Sequence, residues 1–132
     1  MIDLPALSFS MPMTYEGFVE SQGVASIQDD TLILEYQSND GIFGVFKSAV
    51  QRVEIPIAEI SHIELHKGWF QTKLSIQVNN LSRVQDVPGQ RKGQIRLYLS
   101  RRDRAIAENW VQTLQLSFSN DQMNQLLSTD QR

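Results

Sequence analysis

The sequence predicts a mainly β protein closed by a single C-terminal helix, and three observations carry that expectation. Only Ser100 to Phe118 sustains a helical period, the shorter segments before it alternate apolar and polar residues as strands do, and turn-forming residues punctuate them at short intervals. In the helical segment Ala107, Trp110, Val111, Leu114 and Phe118 recur at spacings of three and four, with Ile106 at the margin. Arg104, Glu108, Gln112 and Gln115 fall off that face. Ser100 followed by Asp103 reads as a capping-box-like start, the serine hydroxyl accepting from a free N–H of the first turn. A helix over about residues 101–118, apolar on one face and following a run of strands, is expected to plug a β-barrel or sheet.

The strands follow in order. Residues 1–16, with Pro5 and Pro12, read as an N-terminal arm or a short extra strand. Phe18 and Val19, then Val24, Ala25 and Ile27, mark a strand bent at Gly17 and Gly23, and Gln28-Asp29-Asp30-Thr31 reads as a tight turn because aspartate side chains bond their own backbone. Leu32 to Gln37 completes a hairpin over residues 24–37. Ser38 to Ala49 is a connection rich in apolar side chains, Ile42, Phe43, Val45 and Phe46, which either cap one end of the core or form an exposed lip.

Val53, Ile55 and Ile57 alternate with Glu54 and Pro56, so this strand has one wet face and its proline belongs at an edge, a bulge or the strand's end. Ala58-Glu59-Ile60 reads as a short turn. On the next strand Ile63 and Leu65 face inward, opposite His62, Glu64 and His66. Gly68 turns the chain, and Phe70, Thr72, Leu74, Ile76 and Val78 form the cleanest alternation, with Trp69 outward and Lys73, Ser75 and Gln77 as the solvent face. Asn79 to Gly93 is a long connection in which Leu81, Val84 and Val87 supply a short strand or helical turn. Ile95, Leu97 and Leu99 define the last strand, and residues 119–132 read as a polar tail, either prolonging the helix or packing loosely.

Composition bounds the function. One domain accounts for 132 residues, and with no cysteine there is no disulfide framework, thiolate metal site or cysteine nucleophile. The opening MIDLPALSFSMPM has neither a basic start nor a continuous apolar run, so the expectation is a soluble, cytoplasmic protein without a signal segment. The net charge of −3 hides an asymmetry: residues 1–66 carry ten acids against Lys47 and Arg52, and residues 67–132 carry ten bases against five acids. Either the halves neutralise each other on folding or the second presents a basic patch. Overall acidity argues against general nucleic-acid binding, which depends on neutralising phosphates.

The hairpin SIQDDTLILEYQ, the run IPIAEISHIELHKGWFQTKLSIQV and the segment GQIRLYLSRRDRAIAENWVQTL, ending in a helix that carries Trp110, resemble the pleckstrin-homology-like domains in order of elements. The resemblance is to bacterial members and covers roughly residues 17–116. It implies a split barrel of about seven antiparallel strands capped by the helix, with residues 17–118 as the domain, and a scaffold or interaction module that in several kinds self-associates. Phosphoinositide-binding members carry bases around the first hairpin. Here that hairpin holds Asp29, Asp30 and Glu35, so the ligand does not carry over.

Candidate sites follow from residues that break local rules. Arg101, Arg102 and Arg104 place cations in the first turn of a helix, against its dipole. Either acids pair with them, or the helix start, with Arg91, Lys92 and Arg96, binds a phosphate or carboxylate. An outward Trp69 at a hairpin is a contact candidate, together with Ile42, Phe43 and Phe46. His62, Glu64 and His66 share a strand face but lie about 6 to 7 Å apart in sequence steps of two, wide for three ligands on one ion, so no metal and no cofactor is expected. No serine elbow, phosphate-binding loop or paired carboxylate points to catalysis. The expectation is a non-enzymatic module that binds protein or a second copy of itself, with an anion or lipid headgroup, and then a small apolar ligand, as alternatives.

Overall fold

The computed structural model describes residues 4–14, 19–40, 45–46, 50–69 and 71–130. Among them β1 (Leu7–Thr14), β2 (Val19–Gln28), β3 (Thr31–Asp40), β4 (Val45–Phe46), β5 (Gln51–Pro56), β6 (Ile60–Lys67), β7 (Thr72–Val78) and β8 (Gln94–Leu99) precede one helix, α1 (Arg104–Asp130). All pairings are antiparallel, in the order β4-β3-β2-β1-β8-β7-β6, with β5 also on β3. The protein is therefore mainly β with one C-terminal helix, as the periodicities predict.

The first hairpin runs over β2 and β3 from Val19 to Asp40, longer than the 24–37 expected, and turns at Asp29 and Asp30 with φ of 50° and 58°. Positive φ at both central residues is the signature of a type I′ turn, whose twist matches that of the flanking strands. At mid-strand, Gly23 lies under β3 so closely that a Cβ would sit 2.1 Å from the Glu35 carbonyl oxygen. Only glycine fits that crossing.

Of the two readings of the N-terminal residues, the extra strand is the one found. β1 joins the two halves of the sheet, pairing with β2 along its length and with β8 at Ser10 opposite Tyr98, and it buries Leu7, Phe9 and Met11. The arm reading fails because the prolines do not interrupt this burial: Pro5 precedes the strand, and Pro12 falls where the β1–β2 register shifts between Met11 and Thr14. A bulge tolerates a missing N–H.

The sheet is open, with no ladder joining β5 to β6 among the described residues. A 3-10 turn, Ile57–Glu59, spans that gap and ties both sides to it. The Ile57 N–H donates to the Asp30 carbonyl at 3.0 Å, and the Glu59 carbonyl accepts from the Asn79 N–H at 2.8 Å. The Glu59 carboxylate accepts from Arg83 Nε at 2.9 Å and from Asn80 Nδ2 at 3.3 Å. Those bonds, the arginine's first, hold the Glu59 carboxyl below its ordinary value. Pro56 ends β5, as its chemistry requires.

The interior is apolar. Trp110, Leu7, Met11, Leu34, Leu74 and Leu114 are among the fully buried side chains, and the β7–β8 connection contributes Val84 and Val87 from beside a 3-10 turn at Leu81–Arg83. Burial, and then the Asp86 carboxylate, push the Tyr36 phenol above its ordinary value, leaving its O–H to donate to the Asp86 main-chain carbonyl at 3.5 Å. Ser75 was expected on the solvent face but is buried, flanked across the ladders by Glu64 and Arg96. Long polar side chains on neighbouring strands cover a small residue.

The helix departs from expectation at both ends. Residues 101–103 form a 3-10 turn and α1 begins at Arg104; Ser100 occupies the cap with extended backbone, but its main-chain carbonyl, not its hydroxyl, accepts the Asp103 N–H at 3.0 Å. Beyond Phe118 the residues read as a tail continue the helix to Asp130. Ala107, Trp110 and Leu114 are buried against the core, with Ile106, Val111 and Phe118 partly so. Gln115 donates to the Ile63 carbonyl at 3.3 Å, so α1 also covers part of the exposed edge of β6.

Candidate interaction surface

The start of α1 and the β6–β7 hairpin form one structural unit. The Gly68 N–H donates to the Gln71 carbonyl at 2.9 Å, closing a turn so tight that a Cβ on Gly68 would lie 2.7 Å from that same oxygen. Arg104 reaches across from the helix: its Nε donates to the buried Thr72 hydroxyl at 2.6 Å and its Nη2 to the Gly68 carbonyl. One turn further on, Glu108 pairs with Lys67. The planar fork of arginine suits this double contact, and it accounts for one of the three cations set against the helix dipole.

Trp69 stands at the tip of that hairpin with 87% of its surface exposed. An indole so exposed on a turn fixed from two sides is preorganised for contact, because its loop loses little entropy on binding. Two residues on, Gln71 lines a shallow cleft of about 650 Å³ at the single pairing of β1 with β8. Ser8, Ser10, Gln22, Gln71, Tyr98 and Arg102 line it with Asp103, hydroxyls and amides with one guanidinium and one carboxylate, beside the apolar Phe9 and Leu99. Hydrogen-bonding groups of both senses suit a polypeptide better than a bare anion.

The five cations proposed from sequence as one anion site do not meet. Arg101 and Arg102 follow the end of β8, whereas Arg91 and Lys92 precede its start, roughly 17 Å away along a six-residue strand. Arg91 and Lys92 flank a shallow depression with Gln77 and Gln94, where Gln77 Nε2 donates to the Lys92 carbonyl at 2.9 Å. Lys92 and Gly93 hold φ of 52° and 84° there, and a Cβ on Gly93 would lie 2.4 Å from the Val78 carbonyl oxygen. Arg96 donates to the Gly89 carbonyl at 3.4 Å. Arg101 and Arg102 are exposed and have no acidic partner among the described residues.

The remaining candidates separate as well. Ile42 and Phe43 lie outside the described residues, as does Phe70. Phe46 belongs to β4, which pairs with Asn39 and Asp40 of β3, on a different element from Trp69. His62 and His66 each place Nε2 3.5 Å from the same Glu64 oxygen on an exposed strand face, contacts worth little in water. Between the two halves of the sequence Arg83 pairs with Glu59, whereas Arg52 pairs with Glu35 and Glu54 inside the first half. Neutralisation between halves is thus local.

What the sequence did not reveal is the coupling of Trp69 to the helix start. The only signal for it was the oddity of Arg104 in a first turn, which the hairpin explains. Comparison of the chain with protein-family models, curated proteins and solved structures returns no match.

Proposed function

We propose that this chain is a non-enzymatic interaction module of pleckstrin-homology-like build that binds another protein through Trp69 and the neighbouring cleft. The observation that carries the reading is an almost fully exposed tryptophan on a hairpin held by Arg104 and by the Lys67–Glu108 pair. A rigid aromatic anchor beside a polar cleft has the composition of a contact hot spot. A meander of antiparallel strands followed by one helix with a buried tryptophan supports the pleckstrin-homology-like assignment. No helix among the described residues is long and apolar enough to cross a membrane.

The test is photo-crosslinking in the native cell from a probe at Gln71, with and without Trp69→Ala. A discrete adduct that disappears in Trp69→Ala and persists in Val50→Ala, an exposed position just before β5, supports the reading. Adducts indifferent to Trp69 sink it.

A second reading has its own observation: Arg101 and Arg102 are exposed and without acidic partners among the described residues at the start of the helix. In that reading they hold an anion or lipid headgroup, and flotation with vesicles containing phosphatidylserine at low salt decides it. Co-flotation lost in the Arg101→Ala, Arg102→Ala double variant supports it, and no co-flotation removes it.

A further inference from the structure

The helix carries two apolar stripes, and only one is used. Ala107, Trp110 and Leu114 face the core. At about 100° per residue, Leu116, Asn120, Met123 and Leu127 lie about 180° to 240° around the axis from Leu114, on the far side of the helix. Leu116, Met123 and Leu127, with Leu126 beside them, are 52% to 66% exposed. The spacing 116, 120, 123, 127 alternates four and three, which is the a/d seam of a helix that pairs with another helix.

We propose that the occupant of this seam is a second copy of the chain, its α1 lying parallel and in register against the first. Asn120 carries the choice of occupant. It is the one polar residue in the seam, between Leu116 and Met123, and its amide has both donors and an acceptor. In a parallel two-fold pair it meets its own twin, and each amide satisfies the other. In an antiparallel pair it faces an apolar side chain and is buried unsatisfied, and a purely apolar partner groove leaves it the same way.

Placement and charge agree with a homotypic pair. Because the seam is opposite the core-facing stripe, two domains sit on the outside of the helix pair. From Leu116 to Asp130 the only charged residues are Asp121, about 100° around the axis from Asn120, and Asp130, one step beyond Leu127 in the same spacing, so no charge falls on the seam between Leu116 and Leu127. Four half-exposed side chains per copy bury on the order of 500 Å² in the pair. That is below the area of stable complexes, so the pair forms and dissociates with concentration. This surface is separate from Trp69 and does not rest on it.

Sedimentation equilibrium from about 10 μM to 1 mM spans weak association of this kind. The weight-average mass is expected to rise from monomer toward dimer, and Met123→Glu with Leu127→Glu to weaken the association at least about tenfold while leaving the melting of the domain unchanged. Trp69→Ala keeps the dimer. Since the chain has no cysteine, Asn120→Cys reports geometry directly: oxidation links two copies at residue 120 far faster than it links a Gln28→Cys control. A monomer throughout the range, a dimer indifferent to the glutamates, or cross-linking no faster than the control overturns the proposal. So does a monomer that floats with lipid vesicles through Leu127, which gives the stripe to a membrane surface.

Discussion

The indole N–H of Trp110 donates to the main-chain carbonyl of Pro5 at 2.7 Å, across 105 residues of sequence. The helix tryptophan thus fills the core and also fastens the approach to β1, the strand that joins the two halves of the sheet. Trp110→Phe is expected to destabilise by about 1–3 kcal/mol, from a lost hydrogen bond and a small cavity, and Trp110→Ala by about 3–5 kcal/mol. Urea unfolding monitored by circular dichroism measures both, and the loss in Phe should come with faster hydrogen exchange in β1.

Arg104→Ala removes a charged donor from the Thr72 hydroxyl and the Gly68 carbonyl, and hydrogen bonds to charged groups are worth about 1.5–3 kcal/mol. The Gly68 amide should lose protection, and Trp69 should gain mobility, read as a drop in fluorescence anisotropy in a Trp110→Phe background. Arg104→Lys should restore only part, because an ammonium cannot present the same fork. Unchanged anisotropy in Arg104→Ala would mean that the helix does not hold the hairpin.

Glu59 gives the fold a defined acid sensitivity. Its carboxyl is held below an ordinary value of 4.5, first by the Arg83 hydrogen bond, so the folded state favours the ionised form. That contribution is present above the ordinary value and is lost as pH falls through the lower folded value. Glu59→Gln should therefore melt at a lower temperature than the native sequence at pH 7, with the gap closing toward pH 3. Parallel melting curves at both pH values would show that the 3-10 turn is held by its main-chain bonds alone.

The turn at Asp29 and Asp30 uses two residues that tolerate positive φ but do not prefer it as glycine does. Asp30→Gly relieves the second position of a type I′ turn and is expected to stabilise by up to about 1 kcal/mol. The carbonyl that accepts the Ile57 N–H belongs to the backbone and survives the change. Gly23→Ala acts in the opposite sense, because its Cβ meets the Glu35 carbonyl oxygen rather than a movable side chain, and about 1–3 kcal/mol of strain is expected. Thermal melting distinguishes the two signs.

Strands and helix core were legible in the sequence wherever one face is buried throughout, as in β7, β8 and the Ala107 to Leu114 stretch. β1 was ambiguous because Pro5 and Pro12 bracket its apolar residues, and only the register shift after Met11 shows how the second proline is accommodated. Whether the helix continues beyond Phe118 was left open because its apolar residues there are few, and a sparse stripe resembles a polar tail until the backbone fixes its angle. The site was half legible. Trp69 and the arginines each stood out, but alternation and dipole arguments are local, and neither could show that Arg104 reaches Gly68 while Arg91 and Arg101 lie at opposite ends of β8.

The bond from Trp110 to Pro5 also sets a timetable for biosynthesis. β1 can pair with β2 early, yet β8 and the indole that complete its surroundings are made last. At about 5–20 residues per second the 105 intervening residues take on the order of 5–20 s. During that interval Leu7, Phe9 and Met11 form half of a core whose other half does not yet exist. Chaperone engagement with the nascent chain should be concentrated there, and a synonymous slowing of translation between β2 and β8 should lower the yield of folded protein without changing any residue.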